Sequence, residues 1–164
     1  MINRLNIYLI TFFGLGRISK IPGSLTSLAT VLILFFLLQI LNLPANLILF
    51  LIILIFFLSL YSINVYIKEK DNKDPKEIVI DEFIGQSIPI CLYEIAHTES
   101  KAISTTLTFY FIMFILFRIF DIVKPFPVSY YDKNFKNSFG VLMDDVCAGL
   151  YVVVIMVFYM IITS

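Results

Sequence analysis

Two adjacent carboxylates interrupt an otherwise apolar stretch near the end of the chain. The sequence GVLMDDVCAGLYVVVIMVFYMII covers residues 140–162, and Asp144 and Asp145 lie about one turn inside its start. Carboxylates within or beside a membrane span are costly to remove from water and usually mark an ion path, a metal site or a catalytic site. Because successive helical residues point about 100° apart, we expect one of the pair to bind an ion while the other orients water or a neighbouring base.

Three further acids lie in two other segments of the sequence. Asp81 and Glu82 occur in IVIDEFIG, and Asp121 occurs in FRIFDIVKPFP. A set of carboxylates with no histidine or thiolate beside it suits a hard cation, Mg²⁺ first and Mn²⁺ second. A Mg²⁺ site in turn suggests phosphate chemistry.

Basic side chains accompany these acids. Arg118 precedes Asp121 by about one helical turn, so the two can share a helix face, and Lys124 follows in a loop. Arg118 could bind phosphate oxygens in bidentate fashion. The plain alternative for this pair alone is an i,i+3 salt bridge.

A glycine- and hydroxyl-rich segment, GLGRISKIPGSLTS, occupies residues 14–27. It contains Lys20, Gly23 and Ser24 directly before an apolar run, a pattern typical of a phosphate-binding loop at a helix start. It lacks the GKS/T ending of a nucleotide-binding loop, and no strand precedes it, so nucleotide binding is not favoured. Helix capping explains the hydroxyls almost as well.

The remaining sequence must position these residues within a membrane. The chain has 164 residues, of which 60% are hydrophobic and 15% charged. Four runs are long enough to cross a bilayer, at residues 25–41, 45–67, 102–120 and 141–162. Residues 78–96 carry several polar groups and Pro89, which predicts a helix that either crosses the membrane with a kink at Pro89 or enters only partway. Residues 5–13 are too short to span and predict an interfacial or re-entrant segment. We therefore expect a single all-α, polytopic membrane domain over residues 1–164.

The distribution of basic residues predicts the orientation. Simple alternation of the five segments, with turns at residues 42–44 and 97–100 on the far side, puts eleven of the twelve basic residues on the near side and only Lys101 on the far side. The positive-inside rule makes the near side cytoplasmic. The same threading brings the five acids to that face, and all six glycines lie on or near it. A helix dipole favours acids at helix starts, but it would account for one acid and not for five.

Several classes of partner and mechanism are excluded by composition. The formal net charge is zero, so no basic surface suggests nucleic acid, and the bilayer is the expected partner. Cys91 and Cys147 lie in apolar segments without CxxC spacing, which indicates reduced core residues. The single histidine, His97, falls in the far-side turn, so a phosphohistidine intermediate is not expected. Metal-activated water or an aspartate nucleophile remains.

Together these motifs resemble the phosphatidylglycerophosphatase A family of bacterial membrane phosphatases. The resemblance is carried by the segment at residues 14–27, by VIDEFIG, by FRIFDIVKPFPVSYYDKN and by GVLMDDVCAG, in the family's order across nearly the whole chain. It implies a helical enzyme of the bacterial cytoplasmic membrane that uses Mg²⁺ to convert phosphatidylglycerophosphate into phosphatidylglycerol and phosphate. One departure is Thr26, which stands where the family usually has glycine.

On this basis we assign roles as hypotheses. The catalytic and metal-binding set is Glu82, Asp121, Asp144 and Asp145, which hold Mg²⁺ and position the attacking water, with Asp81 as a further ligand or a residue behind the ligands. The phosphate-binding set is Arg118, Lys124, Lys20 and Ser24. The supporting set is Gly23, Gly85 and Asp132, of which Asp132 orders the loop after Pro127.

Two other classes of protein remain as alternatives. A cation-coupled transporter or channel could use the acidic cluster as an ion site, although no acid lies near the middle of the four strong spans and no inverted repeat is evident. A non-enzymatic assembly subunit could use its aromatic-rich helices only for packing. The sequence does not define the oligomeric state.

Overall fold

A computed structural model describes residues 4–68, 75–97 and 102–163, and these residues form helices and no β-strand. The helices are α1 (Arg4–Ile10), α2 (Leu15–Ile18), α3 (Pro22–Phe35), α4 (Ala45–Lys68), α5 (Ile80–Ala96), α6 (Ile103–Val123), α7 (Val128–Asn134) and α8 (Ser138–Thr163). A π-helical turn, Phe36–Ile40, extends α3. Lys70, Lys73, Lys101 and most of the expected turn at residues 97–100 lie outside the described residues.

The four expected spans are confirmed. The helical stretches Pro22–Ile40, Ala45–Lys68, Ile103–Val123 and Ser138–Ile162 are each long and apolar enough to cross a membrane. Their boundaries differ from the expected ones by a few residues, for local reasons. α3 starts early because Pro22 fits the first helical turn, and α6 runs on to the left-handed residue Lys124, whose φ of 48° ends the helix.

α5 is the central helix of the bundle. It contacts α3, α4, α6 and α8, and eleven of its 17 residues are buried, among them the polar residues Asp81, Gln86 and Ser87. The helix continues through Pro89 without interruption. At 1.5 Å per residue its length is about 25 Å, short of the roughly 30 Å hydrocarbon thickness. α5 is therefore shorter than the four long spans.

Glycines bring α5 and α8 into backbone contact. Pro89 has no N–H, so the Gly85 carbonyl lacks its usual helical donor. α8 passes so close to that carbonyl that any side chain at Gly149 would collide with it. A Cβ on Gly85 would in turn lie 2.6 Å from the carbonyl oxygen of Asp145. This crossing sets the distance between the acids of α5 and those of α8.

The amino-terminal segment holds the start of α5 in place. α1 has seven residues, too few to span, as expected, and it packs on α4. The backbone N–H of Val79 donates to the Ile10 carbonyl at 2.9 Å. The Arg17 Nε and Glu77 Oε2 atoms form an ion pair at 2.8 Å, and the Tyr66 hydroxyl donates to the same carboxylate. The backbone just before Asp81 is thus tied to α1, α2 and α4.

Candidate active site

Charged residues at or near the ends of four helices line one cleft. Its cavity volume is about 390 Å³, and it lies where α3, α5 and α8 begin and where α6 ends. Its charged lining consists of Asp81, Glu82, Asp121, Asp132, Asp144 and Asp145 together with Lys76, Arg118, Lys124 and Lys136. Because α8 begins at Ser138, Asp144 lies about 9 Å from the helix start, deeper than the single turn expected.

Three of the acids converge at the base of the cleft. Asp81, Glu82 and Asp145 each offer one carboxylate oxygen, and these three oxygens lie within 4.8 Å of one another. Asp81 and Asp145 are buried. Asp81 Oδ1, Glu82 Oε2 and Asp145 Oδ1 are buried and have no hydrogen-bond partner among the described residues. We call these three residues the acidic triad.

The acidic triad fits a hard divalent cation. Buried carboxylates this close repel each other, and an uncompensated buried charge is strongly destabilising. Unpartnered oxygen atoms are the ligands that Mg²⁺ and Mn²⁺ prefer. The donor chemistry and the three orphaned oxygens therefore match the cation that the sequence suggests.

Asp144 lines the same cleft but is not part of the acidic triad, and its partner is Lys124. Lys124 Nζ donates to Asp144 Oδ2 at 3.0 Å and to Asp132 Oδ1 at 2.6 Å. The second oxygen of Asp144, Oδ1, accepts the backbone N–H of Asp145 at 3.0 Å. The two adjacent aspartates therefore have different neighbours in the structure.

Lys124 and Asp132, which both lie outside the membrane spans, shift each other's pKa. Burial lowers the pKa of Lys124, but the hydrogen bond to Asp132 and the charge of Asp144 outweigh burial and raise its pKa above the ordinary range. Partial burial raises the pKa of Asp132, but the hydrogen bond and charge of Lys124 outweigh it and leave its pKa below its usual value. Both groups are therefore ionised at neutral pH. Asp132 lies in α7, a helix where only an ordered loop was expected.

Arg118 borders the cleft from α6. Its Nη1 atom pairs with Asp121 Oδ2 at 2.7 Å, as the i,i+3 spacing predicts, and donates to Ser27 Oγ at 3.4 Å. Its Nε atom is buried and has no partner among the described residues. A guanidinium has five N–H donors, so the ion pair leaves donors available to a ligand.

The first turn of α3 lines the cleft together with Arg118. Pro22 has no N–H, and the first helical bond runs from the Leu25 N–H to the Ile21 carbonyl at 3.2 Å. The N–H groups of Gly23 and Ser24 therefore have no acceptor within the helix, the usual basis of anion binding at a helix start. A Cβ on Gly23 would collide with the Glu82 carboxylate and lie 3.3 Å from Arg118 Nη1.

Most residues predicted from the sequence meet in this cleft, with two exceptions. Lys20 is exposed between α2 and α3 and does not line the cleft, and Gly85 lies behind it at the α5–α8 crossing. Thr26, the departure from the family pattern, is fully buried in α3 and does not line the cleft either.

Three polar residues in or beside the cleft were missed. Ser27 contacts Arg118, and its position one turn after Gly23 was the only signal in the sequence. Lys76 and Lys136 line the cleft from the segments before α5 and α8. Both lie within a few residues of predicted acids, but nothing in their spacing distinguishes them from other surface lysines.

A membrane helix bundle with a cation-fitting acidic triad beside guanidinium and ammonium groups has the features of a membrane-embedded phosphatase. The chain belongs to the Phosphatidylglycerophosphatase A family, whose model matches residues 8–160. This is a family of lipid phosphatases, and the chain is accordingly a hydrolase.

Individual relatives agree with the family. The chain is 34% identical over 150 residues to a Phosphatidylglycerophosphatase A of Haemophilus influenzae, covering 87% of this chain and 81% of that protein. It is 30% identical over 138 residues to the Phosphatidylglycerophosphatase A of Escherichia coli, covering 84% and 73% of the two chains. A Bacteroides thetaiotaomicron protein provisionally named as a phosphatidylinositol-3-phosphatase is 42% identical over 82 residues, which cover 48% and 45%. No solved structure matches the chain. These relationships do not favour the transporter alternative.

Proposed function

We propose that the protein removes the terminal phosphate of phosphatidylglycerophosphate, producing phosphatidylglycerol and inorganic phosphate in phospholipid biosynthesis. It would act in the bacterial cytoplasmic membrane, with the cleft on the cytoplasmic face, where the basic residues concentrate. The observation that carries the proposal is the acidic triad, whose orphaned oxygens share one cleft with Arg118 and Lys124.

Asp81, Glu82 and Asp145 would hold Mg²⁺, with Mn²⁺ as the second choice. A bound Mg²⁺ would supply Lewis-acid polarisation of the phosphoryl group. The sequence suggested Asp121 and Asp144 as further ligands. In the structure, however, Asp121 pairs with the Arg118 side chain and Asp144 pairs with the Lys124 side chain. We therefore assign Asp121 the role of orienting Arg118, and we place Asp144 beside Lys124 instead of among the metal ligands.

The anion-binding groups surround the proposed position of the phosphate. Arg118 offers N–H donors in a planar fork that matches two phosphate oxygens. Lys124 adds an ammonium that stays ionised at neutral pH. The Gly23 and Ser24 N–H groups and the Ser24 hydroxyl contribute neutral donors at the positive end of the α3 dipole. These groups offset the charge of a phosphomonoester, about −1.5 to −2 at neutral pH.

Hydrolysis requires one proton to leave water and one to reach the departing glycerol oxygen. In the proposed reaction, water oxygen bonds to phosphorus while the ester P–O bond breaks. Asp144 lines the cleft without belonging to the acidic triad, and it accepts the proton from water at Oδ2 and returns it to the leaving alkoxide. Lys124 holds the Asp144 carboxylate in place through the hydrogen bond from its Nζ atom to Oδ2.

Phosphate release from defined lipids tests this proposal. The purified protein in detergent micelles is given phosphatidylglycerophosphate, with phosphatidic acid as a competing substrate, in Mg²⁺ or in chelator. We expect release that requires Mg²⁺ and prefers phosphatidylglycerophosphate. Equal release from both lipids would contradict the substrate assignment, and no release by folded protein would contradict the whole proposal.

A further inference from the structure

The rim of the cleft has two chemically different sides. Only four of its lining residues within the described part of the chain are exposed: Ile21, Ile122, Lys76 and Lys136. Ile21 is 67% exposed and directly precedes α3, while Ile122 is 70% exposed and lies in the last turn of α6. The cleft therefore has an apolar edge between α3 and α6 and a cationic edge beside the starts of α5 and α8.

The apolar edge lies at the boundary of two membrane spans. α3 with its π-helical extension and α6 are both long and apolar enough to cross the bilayer, so the ends that carry Ile21 and Ile122 lie at the membrane surface. Ile18, Val123 and Phe126 lie within four residues of Ile21 or Ile122 in the sequence and are also exposed, at 78%, 69% and 75%. A surface of this kind beside two spans faces lipid, whereas the exposed lysines suit water and headgroups.

We propose that the lipid substrate enters the cleft laterally from the bilayer, through an opening between the start of α3 and the end of α6 that Ile21 and Ile122 flank. We call this opening the α3–α6 portal. The acyl chains of the lipid phosphomonoester stay against the two isoleucines while its headgroup reaches inward. This inference rests on the proposed function, and it defines the side from which the substrate approaches.

The route inward from the α3–α6 portal meets the proposed phosphate site. Ile122 follows Arg118 by four residues on α6, so the two side chains share a helix face. On the α3 side, Ile21 is followed within two residues by Gly23, which has no side chain and lies against Glu82. A headgroup that passes the isoleucines thus reaches Arg118 first and the acidic triad next, while its apolar end remains in lipid.

Adjacent residues of α6 provide a matched test. Ile122 and Val123 are almost equally exposed, but only Ile122 lines the cleft. The native thiols of Cys91 and Cys147 are buried, so a bulky maleimide reacts selectively with a cysteine introduced at the surface. We compare Ile122→Cys, Ile21→Cys and Val123→Cys, each before and after labelling. The substrates are long-chain phosphatidylglycerophosphate in liposomes and its water-soluble dibutyryl analogue, which has the same headgroup.

Lateral entry predicts a position- and substrate-specific loss. Labelling at position 122 or 21 lowers kcat/KM for the long-chain lipid by on the order of tenfold or more, with a change under about threefold for the dibutyryl analogue. Labelling at position 123 changes kcat/KM by no more than about twofold for either substrate. Equal losses at positions 122 and 123, or no loss at positions 122 and 21, would overturn the portal while leaving the proposed function intact. If the unlabelled protein releases phosphate from neither substrate, the proposed function fails and the portal fails with it.

Discussion

Asp144 and Asp145 are neighbours in the sequence but face different partners in the structure. Asp145 joins Asp81 and Glu82 in the acidic triad, whereas Asp144 accepts a hydrogen bond from Lys124. The turn of about 100° between successive helical residues separates the two carboxylates. One short acidic motif thereby supplies both a proposed cation ligand and a proposed proton acceptor.

This separation predicts different defects for the two amide variants. Asp145→Asn removes a proposed ligand, so turnover should fall by about 10²-fold or more, and the Mg²⁺ concentration for half-maximal activity should rise. Asp144→Asn leaves the acidic triad intact, so turnover should fall by about 10- to 100-fold with little change in that concentration. The measurement is phosphate release as a function of Mg²⁺ concentration. Identical Mg²⁺ profiles for the two variants would contradict the division of roles.

Gly23 should tolerate no side chain. In Gly23→Ala the new Cβ would displace the Glu82 carboxylate, so we expect activity to fall by on the order of tenfold and Mg²⁺ to bind more weakly. Gly14→Ala is the matched control. Its Cβ would meet nothing within 4 Å, but its φ of +95° makes alanine strained.

The two glycine variants should therefore show opposite signatures. Gly14→Ala should lower the thermal stability and leave the Mg²⁺ dependence of activity unchanged. Gly23→Ala should raise the Mg²⁺ concentration for half-maximal activity and leave the thermal stability nearly unchanged. Thermal unfolding and Mg²⁺ titration of both proteins make the comparison. A Gly23 variant with unchanged Mg²⁺ dependence would show that the close approach to Glu82 has no functional role.

Ser27 should act by positioning Arg118. Its hydroxyl donates to the Gly23 carbonyl at 3.0 Å and accepts from Arg118 Nη1 at 3.4 Å. Ser27→Ala should raise KM for the lipid by roughly three- to tenfold with a smaller effect on kcat, the amount expected from loss of the hydrogen bond to Arg118. Ser87→Ala is the control, because Ser87 is also buried and bonds one turn back, to the Phe83 carbonyl, without contacting the cleft. Equal kinetic effects of the two substitutions would assign Ser27 a purely structural role.

The Lys124–Asp132 pair predicts a stability difference that is lost in acid. The pKa of Asp132 is lower when the protein is folded, so its contribution is complete above the ordinary value of 3.8 and is lost as pH falls through the lower, folded pKa. The pKa of Lys124 is raised on folding, so its contribution is complete below 10.5 and is lost only as pH rises through the higher, folded pKa. The pair should therefore stabilise α7 throughout the neutral range.

Thermal unfolding of wild type and Asp132→Asn at several pH values measures this effect. We expect a constant difference in Tm from about pH 5 to 9 that shrinks as pH falls below about 4. A difference that varies between pH 6 and 8, or that persists unchanged at pH 3, would contradict an ion pair as its source.

The sequence predicts the spans and the acidic cluster for clear physical reasons. Apolar runs of membrane length reveal the four long helices, and alternation across the bilayer brings acids from distant segments to one face. α5 was harder to interpret, because other helices surround its polar residues, whereas polar residues in a sequence usually indicate contact with water. α7 was expected only as a loop, since its seven residues contain no apolar run long enough to predict a helix.

Partner choice among the charged residues required the structure. Which acid meets Lys124 depends on the left-handed conformation of Lys124 and on the rotation of α8, and neither can be read from spacing. The approach of Ser27 to Arg118 depends on how α3 packs against α6. By contrast, the Arg118–Asp121 pair was predictable because both residues belong to one helix.

Binding of Mn²⁺ to the purified protein, followed by electron paramagnetic resonance, tests the central claim most directly. Wild type should bind the ion, and Asp145→Asn should weaken binding by about 10²-fold or more. Glu94→Gln is the control, since Glu94 lies on α5 outside the cleft, where it accepts a hydrogen bond from Tyr110 at 2.9 Å. That variant should bind Mn²⁺ like wild type. Equal affinity in wild type and Asp145→Asn would contradict the acidic triad as the cation site.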